Sequence, residues 1–105
     1  MAAYWGFHDL HSFKDYGTFV RLCAPDRFPP REGVPEDEQF TLDLVFKGLR
    51  EGLALAVEEK GDRPVFRDCA RLVEEAYEQY RSGDDFGGAI KIGEVRKLLG
   101  RVPSR

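Results

Sequence analysis

The 105-residue sequence predicts an all-α fold, a small four-helix bundle with an aromatic N-terminal segment and a proline-rich loop between helices 1 and 2. Two observations predict it. Four stretches repeat apolar residues at three- and four-residue steps, the spacing that places side chains on one face of a helix. Proline, glycine, serine or aspartate bounds each stretch, and these residues begin or end helices. With 42% hydrophobic and 33% charged residues, the chain has the composition of a globular protein, and we expect one domain over residues 1–105.

Aromatic residues crowd the N-terminal segment, which includes Tyr4 and Trp5. We expect this segment to lie across the bundle, because a free tail would leave its apolar surface in water. Ser12 followed by Asp15 resembles a capping box and predicts the start of the first helix. Pro25 ends that helix, since the residue before a proline is disfavoured in the helical conformation.

A proline-rich loop follows over residues 25–35, which hold four of the six prolines. Proline restricts the backbone, so the loop is expected to be semi-rigid and mostly extended. Phe28 is its predicted anchor on the core. Long connections in compact domains often bind partners, so Phe28 and Arg31 are candidate partner-binding residues; a plain connection between two helices explains the loop equally well.

The clearest helix of the sequence lies between Pro35 and Gly61. The sequence is consistent with two N-terminal ends for this helix. The helix begins near Pro35, with acidic residues 36–38 at its positive pole, or Thr41 is the N-cap and residues 36–40 form a separate turn. The apolar arc of this helix is wide, so we expect neighbours on two sides.

Two further helices complete the bundle. Pro64 predicts the first turn of the third helix, which the short link at Gly61 makes antiparallel to the second, and Ser82-Gly83 ends it. Asp84 and Asp85 are candidate caps for the fourth helix, which runs to about Leu99. The apolar residues of the fourth helix are Phe86, Ala89, Ile90, Ile92, Val95, Leu98 and Leu99.

One edge of the long helix consists of Leu44, Gly48, Gly52 and Leu55. Glycines four residues apart let another backbone approach closely, and otherwise each would destabilise the helix by about 1 kcal/mol. We expect something to pack at this edge. The first or fourth helix of the same chain is one occupant, and a partner protein or a second copy, giving a homodimer, is the other.

Acidic residues line the outer sides of the second and third helices. The candidate partner-binding carboxylates are Glu51, Glu58, Glu74, Glu75 and Glu78. Residues 1–85 carry 11 basic and 18 acidic groups (−7), and residues 86–105 carry 5 basic and 1 acidic (+4), for a net charge of −3. These carboxylates predict a negative surface that attracts a basic protein; solvated helix faces are the alternative interpretation.

Charge and hydropathy also exclude several classes. The acidic body argues against nucleic-acid binding, which needs cations that face phosphates. The chain has no apolar run of the ~20 residues that a membrane-spanning helix requires. Its first residues lack the form of a secretory signal, so we expect a cytoplasmic protein. Cys23 and Cys69 fall among apolar helix positions, which predicts buried thiols without a disulfide.

One group of residues has the chemistry of a metal site. His8, His11 and Asp15 offer two imidazoles and a carboxylate, the ligand set of a non-haem iron or open zinc centre. The alternative is that both histidines form the polar edge of an aromatic cap. Cys23 with His11 as its base does not predict a nucleophile, because twelve residues of helix separate the two side chains by about 18 Å. We predict no catalytic residue and no cofactor.

These observations lead to one functional expectation and two alternatives. We expect a non-enzymatic cytoplasmic protein that binds a basic partner protein, by analogy with acidic immunity and inhibitor proteins that neutralise basic toxins. The first alternative is a small metal- or ligand-binding protein that uses His8, His11 and Asp15. The second is an obligate homodimer of regulatory role.

Overall fold

A computed structural model of the chain describes residue 7 and residues 9–103, which form an all-α bundle of four helices, as predicted. The helices are α1 (Leu10–Cys23), α2 (Leu42–Lys60), α3 (Pro64–Arg81) and α4 (Asp85–Leu99), and a short 3-10 helix covers Glu36–Glu38. None of the described helices combines the length and the apolar composition needed to cross a bilayer.

The four helices pack in a ring, in which α2 and α4 each contact both α1 and α3. The expectation that α2 has neighbours on two sides is confirmed. Every helix contributes to the shared core, whose largest fully buried side chains include Phe13, Phe46, Phe66, Leu10, Leu49, Ile92 and Leu99. The described part of the core contains no buried charged residue.

The first helix starts three residues earlier than predicted. Asp9 is the N-cap, and its carboxylate accepts a hydrogen bond from the Ser12 amide at 2.9 Å, while the Ser12 hydroxyl accepts one from the Asp9 amide at 3.3 Å. Ser12 is therefore the second member of the capping box and not the first. The earlier start buries Leu10, whose amide also donates to the Glu59 carboxylate at 3.0 Å.

The start of α2 follows the second of the two predicted alternatives. Thr41 is the N-cap, since its hydroxyl accepts a hydrogen bond from the Leu44 amide at 3.1 Å. Residues 36–38 form their own short turn. The helix has 19 residues, which span about 28 Å at 1.5 Å each. Gly61 ends it with a φ of 92°, a conformation that glycine adopts without strain.

The limits of α3 and α4 agree with the prediction, but the inner face of α4 differs from its apolar pattern. Pro64 is the first residue of α3, and the Asp84 carboxylate caps α4. The buried residues of α4 are Gly88, Ile92, Val95 and Leu99. A Cβ atom on Gly88 would lie 2.7 Å from the Tyr80 ring, so a glycine occupies a core position and larger apolar residues face outwards.

The aromatic N-terminal segment is described only at Phe7. Its ring packs edge-on against the rings of Phe13 and Tyr16, with 5.1 Å between centroids in each case. Tyr4 and Trp5 lie outside the described residues.

Candidate functional site

The glycine edge of α2 is closed by α1 at Gly52. Gly48 and Gly52 are both buried, and a Cβ atom on Gly52 would lie 2.0 Å from the Phe13 ring. Leu44 is half-buried and packs against the core. Of the four residues of this edge, Leu55 alone is exposed, at 37%. The contact observed at Gly52 is therefore internal, and Leu55 is the part of the edge that a partner can reach.

Two carboxylates flank Leu55 on α2. Glu58 is exposed and Glu51 is half-buried, and neither forms an ion pair with any described residue. Glu51 lies close enough to Tyr16 for its charge, together with the larger effect of burial, to raise the pKa of that phenol. Glu51, Leu55 and Glu58 thus form a mildly acidic strip along one helix.

Two of the four acidic residues of α3 form ion pairs with cations of the same chain. Arg50 forms a two-pronged ion pair with Glu74, with nitrogen–oxygen distances of 2.7 and 2.9 Å. This contact lowers the pKa of Glu74. Glu75 pairs with Arg71 at 3.0 Å and with Lys91 at 2.8 Å, and its pKa falls because of Lys91 first and Arg71 second.

Glu78 lies on the exposed side of α3 and forms no ion pair with a described residue, although its charge interacts with the Arg81 guanidinium. It joins Glu74, Glu75, Gln79 and Lys91 in lining a shallow groove of about 410 Å³ between α3 and α4. Because a lysine lies inside this groove and two of its three glutamates are paired, its net charge is small. Of the three glutamates predicted to form a negative surface on α3, Glu78 is therefore the one without an ion pair to a described residue.

The proline-rich loop is pinned to the body of the protein at several points. Phe28 packs against Phe19 and Phe40, with centroids 5.8 and 6.3 Å away, in the anchoring role that was predicted. The Gln39 side chain accepts a hydrogen bond from the Arg31 amide at 2.6 Å and donates one to the Arg31 carbonyl at 2.8 Å. The Arg31 guanidinium stacks over Phe40 and donates to the Glu38 carbonyl at 2.9 Å.

An acidic cluster projects from this pinned loop. Glu32, Glu36, Asp37 and Glu38 are all exposed, and none of them forms an ion pair within the described ranges. We call residues 32–38 the acidic loop. Sequence reasoning missed it because one of its two alternatives assigned residues 36–38 to the first turn of α2. The signal was present in the proline before this run and in Thr41 after it.

A second missed feature is a group of exposed apolar side chains near the start of α4. Leu22 is 67% exposed, Phe86 is 78% exposed and Ile90 is 46% exposed. Leu22 and Phe86 line one recess of about 390 Å³ between the end of α1 and the start of α4. We call these three residues the Leu22–Phe86 patch. The apolar pattern of α4 places Phe86 and Ile90 in the core, where Gly88 stands instead.

The candidate metal ligands are only partly described. His11 and Asp15 are both exposed on α1, and His8 lies outside the described residues. Across residue 7 and residues 9–103, no group of three or more histidine, cysteine, aspartate or glutamate side chains converges on a point that could hold a metal ion.

Both cysteines are free thiols, but of the two predicted to be buried only Cys69 is fully so. Cys69 is buried, and its sulfur lies 3.9 Å from the Val95 carbonyl oxygen. Burial raises the pKa of this thiol to about 11, which disfavours the thiolate that acts as a nucleophile. Cys23 is half-buried and lies on α1 with His11, twelve residues away.

Comparison with protein-family models, curated proteins and solved structures gives no match for this chain. The described surface nevertheless offers two regions of distinct chemistry. One is the acidic loop, with its four uncompensated carboxylates. The other is the Leu22–Phe86 patch, whose exposed apolar side chains lie beside charged ones.

Proposed function

We propose that this protein is a non-enzymatic, acidic inhibitor or immunity-type protein that binds a basic partner protein through the acidic loop. One observation carries the proposal. Four exposed carboxylates without an ion pair among the described residues project from a segment that Phe28, Arg31 and Gln39 hold in place.

The charge of the loop supports a basic partner. Its carboxylates fall within seven residues, so their fields add over distances comparable to the Debye length of about 8 Å at physiological ionic strength. A concentrated field of one sign steers an oppositely charged protein towards the surface and raises the association rate. The carboxylates of α3 contribute less, because Arg50, Arg71 and Lys91 already pair with Glu74 and Glu75.

The rigidity of the loop supports binding without extensive reordering. Each rotamer-rich side chain that becomes ordered on association costs about 0.5–1.5 kcal/mol, and a loop that must also fold costs more. Gln39 ties the loop backbone at Arg31 and at Val34, whose carbonyl accepts from Gln39 at 2.8 Å. The backbone under the carboxylates is thus ordered before a partner arrives.

Charge reversal tests the proposal. The immobilised protein is used to capture basic proteins from the cytosol of its native host, and the variant Glu36→Lys with Asp37→Lys is compared with wild type by mass spectrometry and then by titration of the captured protein. We expect the double variant to bind roughly tenfold more weakly, because each reversed charge at an interface rim alters binding by up to about 1 kcal/mol and about 1.4 kcal/mol corresponds to tenfold. Wild-type binding should also weaken steeply with salt.

Two control variants make the same change of charge elsewhere. Asp68→Lys with Glu94→Lys reverses two exposed carboxylates on α3 and α4 and should leave capture unchanged. Glu51→Lys with Glu58→Lys tests the strip on α2 in the same way. Equal loss of capture in all three variants would reduce the effect to net charge alone, and unchanged capture by the loop variant would refute the proposal.

A further inference from the structure

The line of contact between α1 and α4 has a glycine on each side. Gly17 lies on α1 and Gly93 lies on α4. A Cβ atom placed on Gly17 would lie 3.4 Å from Cγ of Arg96, and one placed on Gly93 would lie 3.2 Å from Nε of Arg21. We call these four residues the α1–α4 seam. Glycine destabilises a helix interior relative to alanine, so each helix is weakened at the point where an arginine of the other helix lies over it.

The two arginines of the seam lie close together. Gly17 and Arg21 are four residues apart on α1, and Gly93 and Arg96 are three apart on α4, so the two guanidiniums are separated along the seam by about one helical turn, roughly 5 Å. Both side chains are exposed. Nε of Arg96 donates to the Thr18 hydroxyl at 3.0 Å, which fixes the direction of this guanidinium.

Carboxylates near the seam do not neutralise these two cations. Asp15 and Glu94 are the acidic residues nearest to the two glycines in sequence, and both are exposed. Arg21 also borders the recess that Asp26 and Asp85 line. Neither arginine of the seam forms an ion pair with any of these four carboxylates or with another described residue. The two positive charges are therefore open to an external anion.

We infer that the α1–α4 seam binds a phosphoryl group, as free phosphate or as a phosphate monoester, between Arg21 and Arg96. The fork of N–H groups on a guanidinium matches the oxygens of phosphate and forms charge-assisted hydrogen bonds with them. A phosphate monoester carries about two negative charges at neutral pH, which balance two guanidiniums, whereas a carboxylate carries one. The inference goes beyond the proposed function, because it uses none of the carboxylates of the acidic loop.

Titration with inorganic phosphate, followed by NMR at constant ionic strength with chloride as the reference anion, tests the inference. We expect saturable shifts of the amide signals of Gly17 and Gly93. Arg21→Gln and Arg96→Gln should each weaken phosphate binding roughly fivefold, which corresponds to about 1 kcal/mol. Lys47→Gln is the matched control, because Lys47 is exposed on α2 without an ion pair to a described residue. This variant loses the same charge and should bind phosphate like wild type.

A second variant keeps every charge and changes only the geometry of the seam. Gly93→Leu places a side chain where Arg21 lies, so it should weaken phosphate binding as much as Arg21→Gln does. Leucine favours a helix over glycine, so the Tm of this variant should be no lower than that of wild type. Adenosine monophosphate is titrated in parallel, and the tighter binder of the two identifies free phosphate or a monoester as the source.

Three results would overturn the inference. The first is a wild type that shows no saturable binding of either phosphate or adenosine monophosphate. The second is an equal loss of binding in Arg21→Gln and Lys47→Gln, which would reduce the effect to net charge. The third is unchanged binding in Arg21→Gln and Gly93→Leu. Capture of a basic protein through the acidic loop is measured separately, so either proposal can fail without the other.

Discussion

Replacement of Gly52 by alanine adds one methyl group at the tightest contact between α1 and α2. The new carbon would lie 2.0 Å from Cε1 of Phe13, whereas unbonded carbons prefer about 3.5–4.0 Å. The ring cannot move aside freely, because Phe13 is 1% exposed and packs against Phe7 and Tyr16. The helices must therefore separate locally, by roughly 1.5 Å at this contact.

Two opposing effects set the size of the change in stability. Alanine favours a helix interior over glycine by about 1 kcal/mol. Overpacking a well-packed core costs about 1–3 kcal/mol and occasionally more, and a clash with a buried ring falls at the upper end of that range. We expect Gly52→Ala to lower the free energy of unfolding by about 2 kcal/mol, which corresponds to a fall in Tm of roughly 8–16 °C for a domain of this size.

Gly17→Ala is the matched control, since Gly17 is also a buried glycine inside a helix. The nearest side-chain atom to its added carbon is Cγ of Arg96 at 3.4 Å, an ordinary contact with a flexible side chain. We expect this variant to gain up to about 1 kcal/mol. Urea unfolding with an unchanged m-value measures both effects. A Gly52→Ala variant as stable as wild type would refute the packing of Phe13 on this glycine.

The remaining predictions concern buried polar groups. Tyr16→Phe should lower the free energy of unfolding by about 1 kcal/mol, because the phenol donates a hydrogen bond to the Val45 carbonyl at 2.8 Å. Tyr80→Phe should leave the free energy of unfolding unchanged or raise it by up to about 1 kcal/mol. The reason is that the Tyr80 hydroxyl is buried without a hydrogen-bond partner among the described residues. At pH 8 a thiol reagent should modify half-buried Cys23 quickly and Cys69 only on unfolding, and equal rates would contradict the burial of Cys69. Because burial raises the pKa of Cys69 from 9.0 to about 11, the unfolded thiol loses its proton first. The free energy of unfolding should therefore fall as pH rises from about 9 to about 11. Cys69→Ala should weaken this dependence but not abolish it, because burial also raises the pKa values of Tyr16 and Tyr80.

Helix limits were the most predictable part of the fold, because local chemistry decides them. Pro64, Asp84 and Gly61 act within one turn of their own positions, and all three are where the sequence places them. The start of α1 was less predictable, since both Asp9 with Ser12 and Ser12 with Asp15 have the spacing of a capping box. The choice depends on burial of Leu10 in the core, which is a tertiary effect.

The apolar pattern of α4 did not predict which face of this helix lies in the core. Seven apolar residues spread around this helix, and the inner face follows Gly88 because the Tyr80 ring lies against that position. A method that weights large apolar side chains assigns Phe86 and Ile90 to the core. These two side chains are exposed because Gly88 of α4 packs against Tyr80 of α3, and the local sequence of α4 does not reveal this contact between helices.

In the candidate site too, local sequence predicted some features, and others depended on tertiary contacts. Sequence spacing placed the acidic residues of α3 correctly on its outer side, but Arg50 is 24 positions from Glu74, and Lys91 is 16 positions from Glu75. Only the packing of α2 and α4 against α3 brings these cations to the carboxylates. The sequence alone therefore did not predict that these two carboxylates are neutralised where helices meet.

Helix packing explains why two carboxylates of α3 are paired with cations while those of the acidic loop are not. Helices that pack side by side present the side chains at their edges to each other, so a carboxylate at such an edge meets the cations of its neighbour, as Glu74 meets Arg50. The connection that contains the acidic loop leaves α1 after Cys23 and returns to the bundle at Thr41. Of its two cations, Arg27 lies beside Leu22, and Arg31 directs its guanidinium to Phe40 and to a backbone carbonyl. The densest group of described carboxylates without an ion pair therefore lies between α1 and α2 rather than on an α-helix.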